Sequence, residues 1–534
     1  MGTYFNPSNE GFRKSAQDEI YIDKSGLLNI LNKKLRAEKN CISVSHARRF
    51  GKSQAAEMID AYYSKGCNSK ELFSPLEISN SPDFEKHLNK YNVIHLDISS
   101  IADFYKDNIV SKIIELIYNE LKSEFPDIMD IENPFATILK QVYDKTEVTI
   151  NEISVKTPFV IIIDEWDCVV RNFSDKPELV HEYLQFLHAL FKSKESKEFL
   201  ALGYITGILP IKKIKDESAL NNFREYTMID SKEFTPYFGF TEDEVKTLCK
   251  KYKMNLDSVK AWYDGYLING QHMYNPNSVY QAMIDHRLES YWKNTSAFDT
   301  INTFISLDFD GLKEDVIRML SGEKIFVDTE TFQNDLMSIG SKDDALTALI
   351  HLGYLSYDYD ENTAYIPNFE VAKAFHAAMK QSNWSEVAKM YKMCNEILNA
   401  TLRKDSDKVA ALLELSHETY TSILEYNNEN SLSCAITMAY FTAPAYYNVI
   451  RELPTGKGFA DIALIPRADS KNKPAMIIEL KYDKDADTAI KQIKEKRYAG
   501  NLKGYSDEIL LVGVNYDKET KKHECIIERY EQLP

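Results

Sequence analysis

The chain has 534 residues, room for about three or four domains of ordinary size, and its 44% hydrophobic and 27% charged content fits a globular protein rather than a disordered one. A formal charge of −17 excludes a protein that coats nucleic acid by global attraction, although it leaves room for a local basic groove. No apolar run reaches the ~20 residues of a membrane helix, Met1–Lys14 lacks the apolar core of a signal peptide, and Cys41, Cys67, Cys168, Cys249, Cys394, Cys434 and Cys525 show no paired metal-ligand spacing, so the expectation is a cytoplasmic protein with reduced thiols and no structural zinc.

To about residue 235, apolar runs alternate with amphipathic ones. Strands are predicted at Ile42–Val44, Val93–Ile98, Phe159–Ile163 and Phe199–Ile205. Helices are predicted at Gln54–Tyr63, Ile109–Ser123 and Leu179–Ser193. This alternation predicts an α/β domain over 1–235, a parallel sheet with helices on both faces.

Between the first strand and its helix stands Arg48-Arg49-Phe50-Gly51-Lys52-Ser53. Strand, Gly-Lys-Ser loop, helix is the layout of a phosphate-binding P-loop. Backbone N–H groups and the helix dipole attract an anion, Lys52 reaches the outer phosphates, and the Ser53 hydroxyl holds Mg²⁺. The motif's first glycine position is His46, a bulky side chain where such loops turn tightly. Phe159–Ile163 runs into Asp164-Glu165, with Asp167 close behind. Two carboxylates at the end of an apolar strand sit where open α/β sheets bind ligands. Asp164 would orient Mg²⁺ or its water, and Glu165 would activate the attacking water. Phe199–Ile205 ends in Thr206-Gly207, placed to sense a γ-phosphate. Taken singly, the last two segments are equally a core strand with a solvated acidic end and a plain strand-ending turn. Together with the loop they make an ATP–Mg²⁺ site, because each supplies contacts the others lack.

From about residue 240 the texture changes. Thr241-Glu242-Asp243-Glu244 reads as an N-cap opening a helix to about Tyr252. Trp262-Tyr263-Asp264-Gly265-Tyr266 and Tyr274-Asn275-Pro276 follow, and 236–296 is expected to be a small helical lid. Residues 297–425 read as a helical middle region with a short hairpin near Gly353–Ile366. Over 426–534 a further α/β module is predicted: strands Phe459–Pro466 and Ala475–Tyr482 joined by the turn Arg467–Pro474, a helix Asp485–Arg497, and strands Glu508–Tyr516 and His523–Glu528.

This last module holds a second set of chemical groups. Glu479 and Lys481 share one face of their strand, and a hairpin brings Asp461 beside Glu479. Two carboxylates can then hold Mg²⁺, which polarises a scissile phosphate, while Lys481 positions water or offsets charge. Glu-x-Lys alone occurs on countless amphipathic surfaces. Here Ala475–Ile478 is apolar, so the charged end of a buried strand requires an explanation. Lys491, Lys494, Lys496 and Arg497, with Lys518, Lys521 and Lys522, suit contacts to a DNA backbone, or equally a solvated face paired with Glu495.

Tyr21-Ile22-Asp23-Lys24-Ser25, Arg48 to Ser53, Ile163-Asp164-Glu165, Thr206-Gly207, Trp262 to Tyr266 and Tyr274-Asn275-Pro276 occur in an order that spans nearly the whole chain. This series resembles the AAA-ATPase-like proteins with a C-terminal PD-(D/E)xK nuclease-superfamily domain. The resemblance implies that Arg48 and Arg49 help hold phosphates beside Phe50, Gly51, Lys52 and Ser53. It also implies that a missing first glycine is ordinary, and that 426–534 has a restriction-endonuclease-like fold. Asp461, Glu479-x-Lys481, Gln492 and Tyr498 follow the order of the nuclease pattern, with Ala460 in place of its proline. That pattern expects one more acidic metal ligand on an earlier helix. Glu429 is the first choice and Glu418 the competitor. AAA-like folds often form rings, so a homo-oligomer is compatible, with Arg224 as the candidate arginine finger.

The reading is therefore an ATP-binding, hydrolysing protein coupled to a Mg²⁺-dependent nuclease acting on DNA. The alternative is a nucleotide switch whose C-terminal domain binds nucleic acid or a partner without cutting. A chain in which both sites are relics is disfavoured, because Lys52, Ser53, Asp164, Glu165, Asp461, Glu479 and Lys481 are all retained.

Overall fold

The structure is a computed structural model. It describes residues 2–150, 153–211, 220–292, 301–304, 309, 311–320, 322–330, 332, 339–381, 385–420, 432, 435–437, 439–440, 442–443, 446–455, 458–467, 473–496, 498, 502, 506 and 508–530. The chain divides into two units. The first comprises Met1–Lys253, Asp264–Arg287 and Phe326–Pro367, and the second comprises Met254–Tyr263, Leu288–Ile325 and Asn368–Pro534.

The first unit is built on β1 (Cys41–Ser45), β2 (Asn92–Asp97), β5 (Phe159–Asp164), β6 (Leu200–Gly207) and β7 (Phe223–Thr227), with the hairpin β3 (Glu147–Ile150) and β4 (Ile153–Lys156) set before β5. The sheet order is β2-β5-β6-β1-β7, and every pair is parallel. A parallel sheet needs apolar side chains on both faces, because its crossover helices cover both. Accordingly β1, β5 and β6 are buried throughout. Along β5 the side chains divide by period two: Ile161 and Ile163 join one core with helices Ile109–Glu124 and Pro177–Lys192, whereas Val160 and Ile162 join the other with helix Lys52–Tyr63. Predicted strands and helices fall within a residue or two of the observed ones. Ile98 and Phe199 belong instead to flanking helices. β7 was not anticipated, because Phe223-Arg224-Glu225-Tyr226-Thr227 alternates charge with apolar bulk, as an edge strand does.

The same unit contains a small antiparallel sheet, ordered β8 (Phe240–Thr241), β10 (Gln271–Tyr274), β9 (Tyr266–Ile268), which the expectation of a small helical lid omitted. Helix Glu242–Tyr252 starts in a capping box, with Thr241 and Glu244 each bonding the other's backbone N–H. Asn275 caps helix Pro276–Asp285 through the N–H groups of Asn277 and Ser278. Gly265 has φ +108°, and a Cβ there would lie 1.9 Å from the Pro367 carbonyl oxygen, so only glycine fits. After the two-residue β11 (Ile325–Phe326), the predicted hairpin is present as β12 (Ser356–Asp358) and β13 (Thr363–Tyr365).

The second unit has a mixed sheet in chain order, β14 (Tyr447–Thr455), β15 (Gly458–Pro466), β16 (Ala475–Tyr482), β17 (Ile509–Asp517) and β18 (Lys522–Arg529). Only β16 and β17 run parallel, joined through helix Ala486–Glu495, whose Ile490 and Ile493 pack on one face. The other face packs on Ile397, Leu398, Val409 and Leu413 from helices Ser385–Leu402 and Ser406–Tyr420. β14 was missed because it contains Pro454, which reads as a strand breaker. It is an edge strand, where proline is tolerated.

Candidate functional site

The loop His46–Gly51 leaves the end of β1 and feeds helix Lys52–Tyr63. Gly51 has φ +88°, and a Cβ would meet nothing closer than 3.9 Å, so the requirement there is conformational rather than steric. Arg49 also adopts a left-handed φ of +68°. Arg48 and Arg49 are exposed, Ser53 is exposed at the helix start, and Phe50 is buried. The Lys52 ammonium, on a side chain only 5% exposed, donates to the Ala47 carbonyl at 3.1 Å, within the loop itself. Burial pulls its pKa below the ordinary lysine value, against the opposing charges of Glu165, Asp164 and Asp167.

His46 does not disturb this loop; it anchors it. Its backbone N–H bonds the Gly207 carbonyl at 3.1 Å, and its Nε2 lies 2.7 Å from the Ser231 Oγ. The Ser231 hydroxyl donates to the Thr227 carbonyl, so Nε2–H must be the donor to Oγ, and His46 is the neutral Nε2–H tautomer. Burial first, then the Lys52 charge, drives its pKa down to about 3. A side-chain tether thus replaces the glycine that the motif usually carries.

β5 and β6 pair Ile163 with Ile205, so the next residues, Asp164 and Thr206, meet at the carboxyl edge, where the Thr206 hydroxyl donates to Asp164 Oδ1. Asp97, at the end of β2, stands opposite Asp164 on the other side. Glu165 follows with φ +52° and bonds the Arg171 Nη2 at 2.7 Å. Burial raises its pKa, with Lys52 and Arg171 acting against the rise. The charges of Glu165 and Asp164 act on Lys52, so the two predicted halves of the site lie near one another. Arg224 on β7 engages Glu233 at 3.6 Å and lies over the Tyr226 ring.

Tyr266 and Asn275, from the two aromatic motifs, also reach this loop. Phe50 meets Tyr266 edge-on, with ring centroids 5.2 Å apart, in a cluster with Ala47, Met228, Ile268 and Met273. Gly239 donates its N–H to the Phe50 carbonyl at 3.0 Å, and the Asn275 Nδ2 reaches the Arg48 carbonyl at 3.4 Å. Lys24, in the Tyr21–Ser25 motif, bonds both Glu244 carboxylate oxygens and the Pro236 carbonyl at 2.7 Å.

The second constellation lies on β15 and β16. Ile462 and Ile478 are the last registered pair of β15 and β16, and Asp461 and Glu479 follow them, close enough for the Asp461 charge to act on Glu479, which faces helix Ala486–Glu495 through Gln492. Asp461 Oδ2 accepts the Leu480 N–H at 2.7 Å. Lys481 Nζ lies 3.2 Å from Glu479 Oε1 and 2.9 Å from the Leu480 carbonyl. Gln492 Nε2 donates to Glu479 Oε1 and lies 3.5 Å from the Tyr498 hydroxyl. Glu479 is 1% exposed, and its Oε2 has no hydrogen-bond partner among the described residues. Burial, then the Asp461 charge, pushes its pKa up to about 7, against Lys481. Glu429 lies outside the described residues. Glu418 lies in helix Ser406–Tyr420. Of the basic residues, Lys494 is paired with Glu528 at 2.5 Å rather than with Glu495, and Lys518 with Asp483 at 2.8 Å. Arg497 lies outside the described residues.

Residues 10–215 match the family model described as a predicted AAA-ATPase, and residues 427–525 match the PD-(D/E)XK nuclease superfamily. The chain joins an AAA-ATPase-like domain to a PD-(D/E)XK nuclease-superfamily domain. An uncharacterised protein encoded in the vnfD 5′ region of Azotobacter chroococcum mcd 1 is 20% identical over 532 residues, 95% of each chain. Among solved structures, the Walker-type ATPase PABY2304 of Pyrococcus abyssi is 12% identical, covering 66% of this chain and 94% of its own, with a TM-score of 0.30. The ORC2 protein of Aeropyrum pernix, solved as ADPNP–ADP complexes, is 12% identical, covering 69% and 99%, with a TM-score of 0.27. Scores of that size carry no functional weight. Sequence reasoning passed over Arg171, Ser231 and the loop contacts of Tyr266 and Asn275. Arg171 left a signal in its four-residue spacing from Asp167, and Tyr266 and Asn275 stood in quoted motifs without their loop contacts being legible.

Proposed function

We propose that the first unit binds and hydrolyses ATP with Mg²⁺, and that the C-terminal domain is a Mg²⁺-dependent nuclease acting on DNA in the cytoplasm. The observation that supports this reading is that Lys52, Asp164 and Glu165 lie together at one sheet and Asp461, Glu479 and Lys481 at another. At the nucleotide site, Arg48, Arg49 and the N–H groups from Phe50 to Ser53 would cradle phosphates, and Lys52 would leave Ala47 for the outer phosphates. That exchange is favourable because a buried ammonium gains an anion. Ser53 and Asp164 would hold Mg²⁺, which supplies charge neutralisation on the phosphates. Thr206 would orient Asp164, and Glu165 would take the proton of the attacking water.

At the second site, the orphaned Glu479 Oε2 beside Asp461 fits a divalent cation, since a buried carboxylate oxygen without a partner favours one. Asp461 and Glu479, with Glu429 or Glu418, would hold the metal, which supplies Lewis-acid activation. Lys481 would position water, and Gln492 with Tyr498 would hold Glu479 in place. Exposed Lys491, Lys496, Lys521 and Lys522 would contact the DNA backbone. A homo-oligomer is consistent with this scheme. Among the described residues no helix is long and apolar enough to cross a membrane.

A second reading, a nucleotide switch that binds without cutting, is favoured by the burial of Glu479 and Lys481, which are 1% and 5% exposed. Incubation with supercoiled and linear DNA, Mg²⁺ or Mn²⁺, with and without ATP, separates the two. Cleavage lost in Glu479→Ala supports the nuclease. No cleavage under any condition leaves the switch.

A further inference from the structure

The segment after β5 contains a chain of charges that the ATP site does not account for. Asp167 is fully buried. Its Oδ2 accepts the backbone N–H groups of Ile208 at 3.1 Å and Leu209 at 2.9 Å, and the Nε–H of Arg171 at 2.8 Å. The same guanidinium turns its Nη2 to Glu165 Oε2 at 2.7 Å. The Arg171 side chain is only 8% exposed. One planar fork therefore holds two carboxylates at once, in a fixed geometry that the point charge of a lysine does not impose. Gly207 makes the arrangement possible, because a Cβ there would lie 2.6 Å from Asp167 Oδ1. Glu165 itself stands on a left-handed backbone, φ +52°, a conformation that persists in a non-glycine residue only when its surroundings enforce it.

We propose that Arg171 is the positioning residue for Glu165. The fork grips Oε2, leaves Oε1 as the free proton acceptor, and is itself aimed by Asp167, which the backbone beyond β6 holds. This rests on the ATP-hydrolysis reading of the site. In that reaction the water oxygen bonds the γ-phosphorus, the bond to the bridging oxygen of the departing ADP breaks, and the water proton passes to Glu165 Oε1. A base that swings away from the line of attack loses much of its effect, since a 1 Å misplacement can cost about a hundredfold in rate.

The test uses the full chain with Mg-ATP and compares wild type, Lys52→Ala, Glu165→Gln, Arg171→Met, Arg171→Lys and the double variant Glu165→Gln/Arg171→Met. Steady-state kcat and the Kd for a fluorescent ATP analogue are measured for each. Arg171→Met is expected to lower kcat by about tenfold or more while Kd stays within about twofold, and Arg171→Lys to recover part of the loss. In the Glu165→Gln background, Arg171→Met should change kcat by less than about twofold, because a residue acting through Glu165 has nothing left to position. An equal loss in both backgrounds, or an unchanged kcat in Arg171→Met, overturns the inference. If Arg171→Met does not fold, Asp167→Asn carries the same comparison, since its amide oxygen still accepts from Ile208 and Leu209. Wild type that does not turn over ATP, or does so equally well with Lys52→Ala, sinks the ATP reading and the inference with it. A Lys52-dependent rate indifferent to Arg171 sinks the inference alone.

Discussion

His46 occupies a glycine position and stays neutral there, and this has a cost in acid. Its folded pKa is about 3 against an ordinary 6.5, so between those values the unfolded chain binds the extra proton. Stability is then intact above 6.5 and falls as pH drops through that window, by up to ~1.4 kcal/mol per unit from this group. His46→Gln keeps an N–H for Ser231 without the titration. Its thermal midpoint should therefore fall less than that of wild type on acidification; equal losses would remove His46 as the cause. Glu479 has the opposite sign. Its folded pKa is about 7 against an ordinary 4.5, so the folded state holds the extra proton between them, and stability falls as pH rises through that window. In EDTA, Glu479→Gln should melt higher than wild type above pH ~7, by ~1–3 kcal/mol. Mn²⁺ should then stabilise wild type and leave Glu479→Gln unmoved.

At the scale of elements, strand register brings the candidate site groups together. The β5–β6 pairing leads Thr206 to Asp164, and the end of the β15–β16 pairing leads Asp461 to the Leu480 N–H, next to Glu479. A slip of one residue would turn each set to the opposite face. The turn into β9 depends on Gly265, whose Cβ would strike the Pro367 carbonyl. Gly265→Ala should destabilise the protein by at least ~2 kcal/mol and loosen Tyr266 against Phe50. A melting temperature unchanged in that variant would contradict the tight approach seen here. Gln492, on the helix between β16 and β17, was legible from its order in the chain. Its bond to Glu479 Oε1 required the helix to lie across β16.

At the scale of the whole molecule, the two sites lie in separate units and are separable by experiment. Lys52→Ala should abolish ATP turnover and leave the Mn²⁺-induced thermal shift of the C-terminal site intact. Glu479→Ala should do the reverse, keeping ATP turnover and losing DNA cleavage. Loss of both activities in either variant would mean that the sites do not act as separate centres.

The order of elements was legible in the sequence wherever a local pattern carried it. Continuous apolar runs announced β1, β5, β6 and β16, and Gly51-Lys52-Ser53 announced the loop, because burial on both faces and helix-start geometry act over a few residues. Strands β7 and β14 were not legible, since charge and proline read as breakers until their edge positions are known. The tether of His46 to Ser231 belongs to tertiary structure alone, whereas the grip of Arg171 on Glu165 spans six residues and had a local signal in the spacing of Asp167 and Arg171. Serine 231 is 185 residues from His46 in the chain, and the grip on Glu165 depends on how Asp167 meets the backbone beyond β6. Residue type and spacing determined which chemical groups this protein possesses. The folded geometry, local at Arg171 and Lys481 and long-range at His46, decided which of them hold one another in place.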